Sequence, residues 1–533
     1  MKKSKLIGST IILGALVAGT AYLLTSANVP PLPRTVTAIA NDPAPVGFDA
    51  VACRSMEGGY LAYGTAMVQA AALADNTSSG TADCVVTVAF TASDLKFQAR
   101  LPLGRWNQRM VYIGGGGFDG LMTDVPDYVS PSIKAKPYVT VMTNGGHDAP
   151  LPTSYFDAEF ALDGQKLVDF TYLSEHRSLP VAKELIENVY GTSPARSYFE
   201  GCSMGGHDAL MEAQRFPYDF DGIIARAPAG NIMGLFAKFH QISQQVEAVG
   251  ALSDTQREAL SVAVLQACDT LDGAKDGIVS NLKACKVDVK ALACPAAGGG
   301  ENCLSAKQVA LVEIITSEFR SEKTGIHHGG YPVAGAAETK AWGEYIWPQL
   351  MLGNTSLQGA FSTGFIRSFI TRDADYDVEA WQVDDWKAPL GQVSSLFQAY
   401  DPDLSRLADY GGKLIVWNGV SDTSVSANDT VGYYEAVRKS LGEATAEETV
   451  ALFLSPGVGH CRGGAGADKS ELMDSLVKWV EDNRKPTRQD VTAEKHADDG
   501  TVIMTAPLCK YPSYPHYRGS GDMNSAENFD CRT

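Results

Sequence analysis

The chain has 533 residues, with 62 Asp and Glu against 44 Lys and Arg and a formal net charge of -18 at neutral pH. Such acidity argues against nucleic acid and anionic membrane surfaces as partners, while selecting no substrate. The length exceeds one ordinary core, so two structural units are expected.

In chain order, Met1-Lys-Lys-Ser-Lys5 is a basic lead into the uncharged apolar stretch 6–24, which ends near Thr25-Ser-Ala27, small residues suited to signal cleavage. The stretch is long for a signal peptide, and about twenty apolar residues also span a bilayer, so residues 1–27 are read as a signal peptide or an uncleaved anchor. No cysteine follows closely enough for lipidation, and Pro30-Pro-Leu-Pro33 reads as a linker. The ten cysteines all come later, an even count that reads as a disulfide framework in an exported protein, periplasmic or extracellular.

Tyr112-Ile-Gly-Gly-Gly-Gly-Phe118 is a predicted strand ending in glycines that let the backbone approach a ligand closely. Gly116 is the expected oxyanion donor, with Gly115 and Gly117 as alternatives. No Lys-Ser or Lys-Thr follows, which disfavours a phosphate loop. Next, Arg196-Ser-Tyr-Phe-Glu-Gly-Cys-Ser-Met-Gly-Gly-His-Asp-Ala-Leu-Met211 reads as strand, turn and helix around G-x-S-x-G. That turn lifts Ser203 above a sheet edge as a candidate nucleophile, and the amide of Met204 follows as the other oxyanion donor.

After the predicted strand Gly222-Ile-Ile-Ala-Arg226, residues 227–395 read as an insertion within an α/β-hydrolase core, whose two parts are 28–226 and 396–533. The insertion begins helix-like from Ile232 to Leu271, with Asn231, Ser253 and Asp254 as candidate caps. Asp269, Asp272 and Asp276, separated by Gly273 and Gly277, could gather hard oxygen ligands, although on the residues alone a solvated acidic turn is preferred. His327-His328 has no visible third ligand, so a metal there is disfavoured. Trp342, Tyr345, Trp347, Phe361, Phe365 and Phe369 form either the core of the insertion or part of a lid over Ser203. Arg367, flanked by aromatic residues on both sides, is with Phe365 and Trp347 the candidate substrate-binding set.

Beyond the insertion, the strand-like run from Lys413 ends in a turn at Asp422, the candidate acid, with Asp429 its rival. The run from Ala451 ends at His460, the candidate base. His147, His176, His207 and His240 read as helix, loop or core residues. The order serine, acid, histidine is that of an α/β-hydrolase. A histidine that must be unprotonated predicts a neutral to mildly alkaline optimum.

Cys202 beside the serine and Cys461 beside the histidine, with Gly114–Gly120, Asn144-Gly-Gly-His147, Phe156–Phe160, Phe220–Pro228 and Pro456–Cys461, resemble the tannase and feruloyl esterase family over most of the mature chain. The resemblance implies a serine carboxylesterase acting on galloyl, hydroxycinnamoyl or phthalate-type esters, with no organic cofactor. It implies the pairs Cys53–Cys84, Cys268–Cys285, Cys294–Cys303 and Cys509–Cys531, leaving Cys202 with Cys461. It also implies a structural calcium ion held by Asp269, Asp272 and Asp276 with the carbonyls of Ala274 and Ile278. At His207, many relatives would have arginine. A serine acyltransferase, a peptidase and a non-catalytic aromatic-ester-binding protein are the alternatives.

Overall fold

Ten strands form one mixed sheet in the computed structural model, which describes residues 44–533 apart from 46, 77–79, 150–153, 296–299 and 488–490. The expected signal segment lies outside the described residues. In chain order the strands are β1 (Tyr60–Leu61), β2 (Ala66–Asn76), β3 (Thr81–Phe90), β4 (Lys96–Pro102), β5 (Arg109–Ile113), β6 (Val139–Thr143), β7 (Arg196–Cys202), β8 (Gly222–Arg226), β9 (Lys413–Gly419) and β10 (Val450–Ser455). Their spatial order is β10-β9-β8-β7-β5-β6-β4-β3-β2-β1. From β10 to β6 the neighbours run parallel, and from β6 through β4 to β1 they run antiparallel.

The parallel half is apolar because both of its faces are covered. Val111, Tyr198, Ile224, Ile415 and Phe453 point to one face, packed with Leu476 and Trp479 of the helix Met473–Asp482. Their alternates Met110, Phe199, Ile223, Leu414 and Leu452 pack on the other face, with Leu185 of α1 (Ser174–Tyr190) and Leu210 of α2 (Met204–Arg215). This alternation is the two-residue period of a strand. The antiparallel half is more exposed along β2, as expected for a sheet with a solvated face.

β8 pairs directly with β9, Gly222 opposite Lys413, so residues 227–412 contribute no strand to this sheet. They fold mainly as helices, among them α3 (Ile232–Val249), α4 (Asp254–Cys268), α5 (Ala306–Thr316) and α6 (Leu357–Gly364). The helix-like stretch from Ile232 to Leu271 holds two helices, α3 ending at Gly250 with φ of 86° and α4 starting after Ser253. Asn231 caps α3, and Ser253 caps α4 in a reciprocal box with Gln256, which places Asp254 inside the first turn rather than at the cap. The ten cysteines form the disulfides Cys53–Cys84, Cys202–Cys461, Cys268–Cys285, Cys294–Cys303 and Cys509–Cys531. No helix among the described residues is long and apolar enough to cross a membrane.

Candidate active site

Ser203 sits between β7 and α2 with φ 64° and ψ -117°, a conformation most side chains avoid. Its neighbours explain how the turn survives. A Cβ at Gly201 would lie 2.4 Å from Gly205 O, and one at Gly205 2.6 Å from the carbonyl carbon of Gly114. Glycine at these positions therefore lets the elbow and the glycine strip touch backbone to backbone, where Gly205 N donates to Gly115 O at 3.0 Å. Beneath the elbow, Ser203 N donates to Arg226 O. The Arg226 guanidinium is buried, donating to Glu200 Oε1 at 2.6 Å and to Ser130 Oγ, Ser470 Oγ and Ser470 O, so one network ties β7 and β8 to the loop at Ser130 and the short strand Lys469–Ser470.

Asp422 is wholly buried and accepts from the amides of Ser424 and Val425 at 2.7 and 2.9 Å through Oδ1. Its Oδ2 stands 2.8 Å from Nδ1 of His460. That contact assigns the ring proton to Nδ1 and leaves Nε2 as an acceptor. The rival Asp429 is engaged elsewhere, by the amide of Gly329 at 2.7 Å and near His328 at 3.4 Å. The Cys202–Cys461 bond joins the residue before Ser203 to the residue after His460, with Cα atoms 6.0 Å apart across 259 positions.

Ser203, Met204 and His460 line a cavity of about 470 Å³ together with Gly115, Gly116 and Gly117, within the range of small-molecule sites. Its apolar wall comes from Phe118, Tyr155, Phe156, Phe236, Phe239 and Phe361. Phe118 meets Phe361 edge-on at 5.4 Å, and Phe236 meets Phe118 at 6.1 Å, so rings from the core and from the insertion enclose one space. Asp127, Glu344 and Arg462 also line it, Arg462 being the only Lys or Arg among its lining residues.

Several expected site residues stand elsewhere. The Nε of Arg367 donates to Tyr376 O at 3.0 Å, and Arg367 is not among the cavity's lining residues. Phe365 is buried and stacks at 4.1 Å on Phe236, which does line the cavity, so it supports the wall without being part of it. Trp347 lines a separate cleft with Arg257, Lys340 and Gln349. Gly116 lines the cavity, but its amide donates to Asp119 Oδ1 at 2.6 Å. That commitment leaves Gly115 and Gly117 as the freer candidates on the strip. Arg462 was missed although it directly follows the His-Cys pair, and Tyr155, Phe156 and Phe239 carried no signal separating pocket rings from core rings.

His207 is fully buried, with Nε2 donating to Phe397 O at 2.9 Å and burial lowering its pKa to about 4. His328 is also buried, and Gly330 N donates to its Nδ1.

Residues 80–532 match the family model described as tannase and feruloyl esterase. The chain belongs to that family. It is 30% identical over 499 residues to mono(2-hydroxyethyl) terephthalate hydrolase of Piscinibacter sakaiensis, covering 82% of this chain and 81% of the relative. It is 26% identical over 470 residues to feruloyl esterase B of Aspergillus niger, covering 84% and 86%. Among solved structures, feruloyl esterase B from Aspergillus oryzae superposes with a TM-score of 0.74 at 26% identity over 88% of this chain and 97% of that one. Tannin acyl hydrolase from Aspergillus niger shares the fold, with a TM-score of 0.71 at 19% identity over 92% and 96%. With these relatives the architecture is an α/β-hydrolase fold and the chain is a carboxylic ester hydrolase.

The loop expected to hold calcium spans residues 269–278. Asp269 and Asp272 are buried, Asp276 is half-buried, and none has an ion pair among the described residues. They accept instead from backbone amides of the same loop: Gly277 to Asp269, Ala274 and Ser280 to Asp272, and Ile278 to Asp276. Among the described residues no three His, Cys, Asp or Glu side chains converge closely enough to hold a metal unaided. The fit therefore depends on carbonyl oxygens completing an all-oxygen donor set, the kind calcium takes.

Proposed function

We propose that this esterase hydrolyses esters of aromatic carboxylic acids through an acyl-enzyme on Ser203. The observation that carries the reading is His460, held at 2.8 Å by Asp422, sharing with the strained Ser203 a cavity walled by aromatic rings. The names of the relatives, a terephthalate monoester hydrolase and feruloyl esterases, support the same acyl class.

In this mechanism Ser203 Oγ attacks the ester carbonyl as its proton passes to Nε2 of His460. Asp422 keeps the other ring proton on Nδ1 and stabilises the imidazolium. The Met204 amide and one amide of the glycine strip, Gly115 or Gly117 ahead of Gly116, receive the oxyanion. His460 then protonates the departing alcohol, and water, deprotonated by the same nitrogen, releases the acid. The disulfide between Cys202 and Cys461 limits how far nucleophile and base can separate.

Turnover of methyl gallate, methyl ferulate, chlorogenic acid and mono(2-hydroxyethyl) terephthalate, with Ser203→Ala alongside, tests this reading. Release of acid from at least one, abolished in the variant, is expected; failure with all four would refute the acyl class.

We further propose that residues 227–395 act as a lid on this core and that the loop 269–278 holds a structural calcium ion. Asp269, Asp272 and Asp276 with the carbonyls of Ala274 and Ile278 would bind it, fixing the loop without a part in the chemistry. Chelation should lower Tm and calcium should restore it; an unchanged Tm would remove the ion from the account. The disulfides support export to an oxidising compartment, and N-terminal sequencing of native protein would distinguish a cleaved signal from a retained anchor.

A further inference from the structure

Asp119 is the residue on which the glycine strip closes. Its Oδ1 accepts from Gly116 N at 2.6 Å, and its own amide donates to Gly116 O at 3.0 Å, so side chain and backbone grip the same residue. A Cβ on Gly115 would stand 1.9 Å from Asp119 Oδ1, and one on Gly145 3.0 Å from Oδ2, which shows how closely both glycines pack on this carboxyl. Asp119 itself has φ 56°, the left-handed region that Asp and Asn tolerate better than most residues.

The electrostatic surroundings are unusual for a carboxyl. Asp119 is 6% exposed and has no ion pair among the described residues. The groups that act on it are Asp208 and Glu175, both buried acids, with only the Gly116 amide favouring its ionised form. Burial first, then these two carboxyls, push Asp119 well above the usual carboxylate range, and burial does the same to Asp208. His207 Nε2 is spent on Phe397 O, so a single proton lies between His207 Nδ1 and Asp208 Oδ1, 3.0 Å apart.

We propose that Asp119 is the positioning residue that sets the glycine strip for the developing oxyanion. A neutral acceptor fixes the Gly116 peptide, and through it the amides on either side, without placing a negative charge behind the site where negative charge must build. An ionised carboxylate there would order the strip equally well and oppose the transition state across a low-dielectric gap. The proposal rests on the esterase reading above, and Asp119, which also lines the cavity, acts through the backbone of the strip.

The test compares Asp119→Asn and Asp119→Ala by steady-state kinetics on whichever aromatic ester is turned over, by the rate of Ser203 phosphonylation with an aryl phosphonate, and by difference infrared spectroscopy of wild type against Asp119→Asn. Asparagine keeps a neutral acceptor and tolerates the left-handed backbone, so kcat should fall by no more than about tenfold. Alanine should cost about a hundredfold in kcat, the scale of a lost oxyanion donor, with KM within about twofold of wild type. The infrared difference should contain the carbonyl band of a protonated acid. Its absence, or an Asn variant as impaired in kcat and phosphonylation as the folded Ala variant, would overturn the proposal. If alanine prevents folding, the Asn variant and the infrared band decide. Should no aromatic ester be turned over, the acyl-class reading fails while phosphonylation and the band still test Asp119.

Discussion

The two sides of the cavity are built differently. On the core side, Ser203, Asp422 and His460 follow the ends of β7, β9 and β10 in the parallel half of the sheet, and a disulfide joins two of the three segments. Their spacing is inherited from a hydrogen-bonded sheet, which allows little slack. On the insertion side, Phe236, Phe239 and Phe361 come from helices held by ring stacking and side-chain packing. Under the proposed mechanism, chemistry rests on the sheet-anchored side, and the insertion supplies part of the aromatic wall.

Changes on the core side should mainly lower kcat, and the largest effect below is expected from Asp422→Asn. It keeps the shape but loses the anion that fixes the tautomer of His460, and kcat should drop roughly 10⁴-fold; a loss under tenfold would remove Asp422 from its role. Replacing Cys202 and Cys461 together by serine should reduce kcat/KM by about a hundredfold and lower Tm, since the bond closes a long loop and aligns the pair. Unchanged kinetics would mean the sheet alone sets the distance.

On the insertion side, Phe361→Ala should raise KM about tenfold with kcat changed less, the pattern of lost uniform binding. An equal loss in kcat would blur the division between the two sides. Arg462→Gln should reduce kcat/KM about fivefold for esters carrying a free carboxylate, while a neutral methyl ester should show a smaller change. Equal effects on both would assign the arginine to structure.

The smallest effect concerns stability against pH. Burial and the Asp208 carboxyl push Glu175 up to about 8 from its ordinary 4.5, so the folded chain holds a proton that the unfolded chain loses. Stability from this group is present below 4.5 and declines as pH rises through 8. Glu175→Gln should flatten that decline and raise Tm by a few degrees at pH 8 relative to wild type. A parallel fall in both proteins would show that other groups set the slope.

The difference between the two sides also governs what the sequence made legible. Apolar runs such as Leu414–Trp417 and Gly222–Arg226 specify buried parallel strands, and each candidate catalytic residue lies in or just beyond the turn that follows one. Reading local patterns was enough there, because strand ends of a parallel sheet gather on one edge. The insertion has no such rule. Its rings at 342–369 look alike in sequence, yet Phe361 faces the cavity, Phe365 backs Phe236, and Trp347 lines another cleft. Arg367 has aromatic neighbours in sequence, but its hydrogen bond to Tyr376 O depends on a chain path that composition does not encode. Likewise the glycine strip was recognisable, whereas the commitment of the Gly116 amide to Asp119 required the fold.

The central claim is that Ser203 carries the acyl group. Peptide mass mapping after reaction with an aryl phosphonate ester, alongside the residual ester turnover of the same sample, tests it most directly. The account predicts a single adduct on Ser203 whose extent matches the loss of turnover, and neither adduct nor turnover in Ser203→Ala. Turnover persisting in that variant, or lost without modification of Ser203, would contradict it.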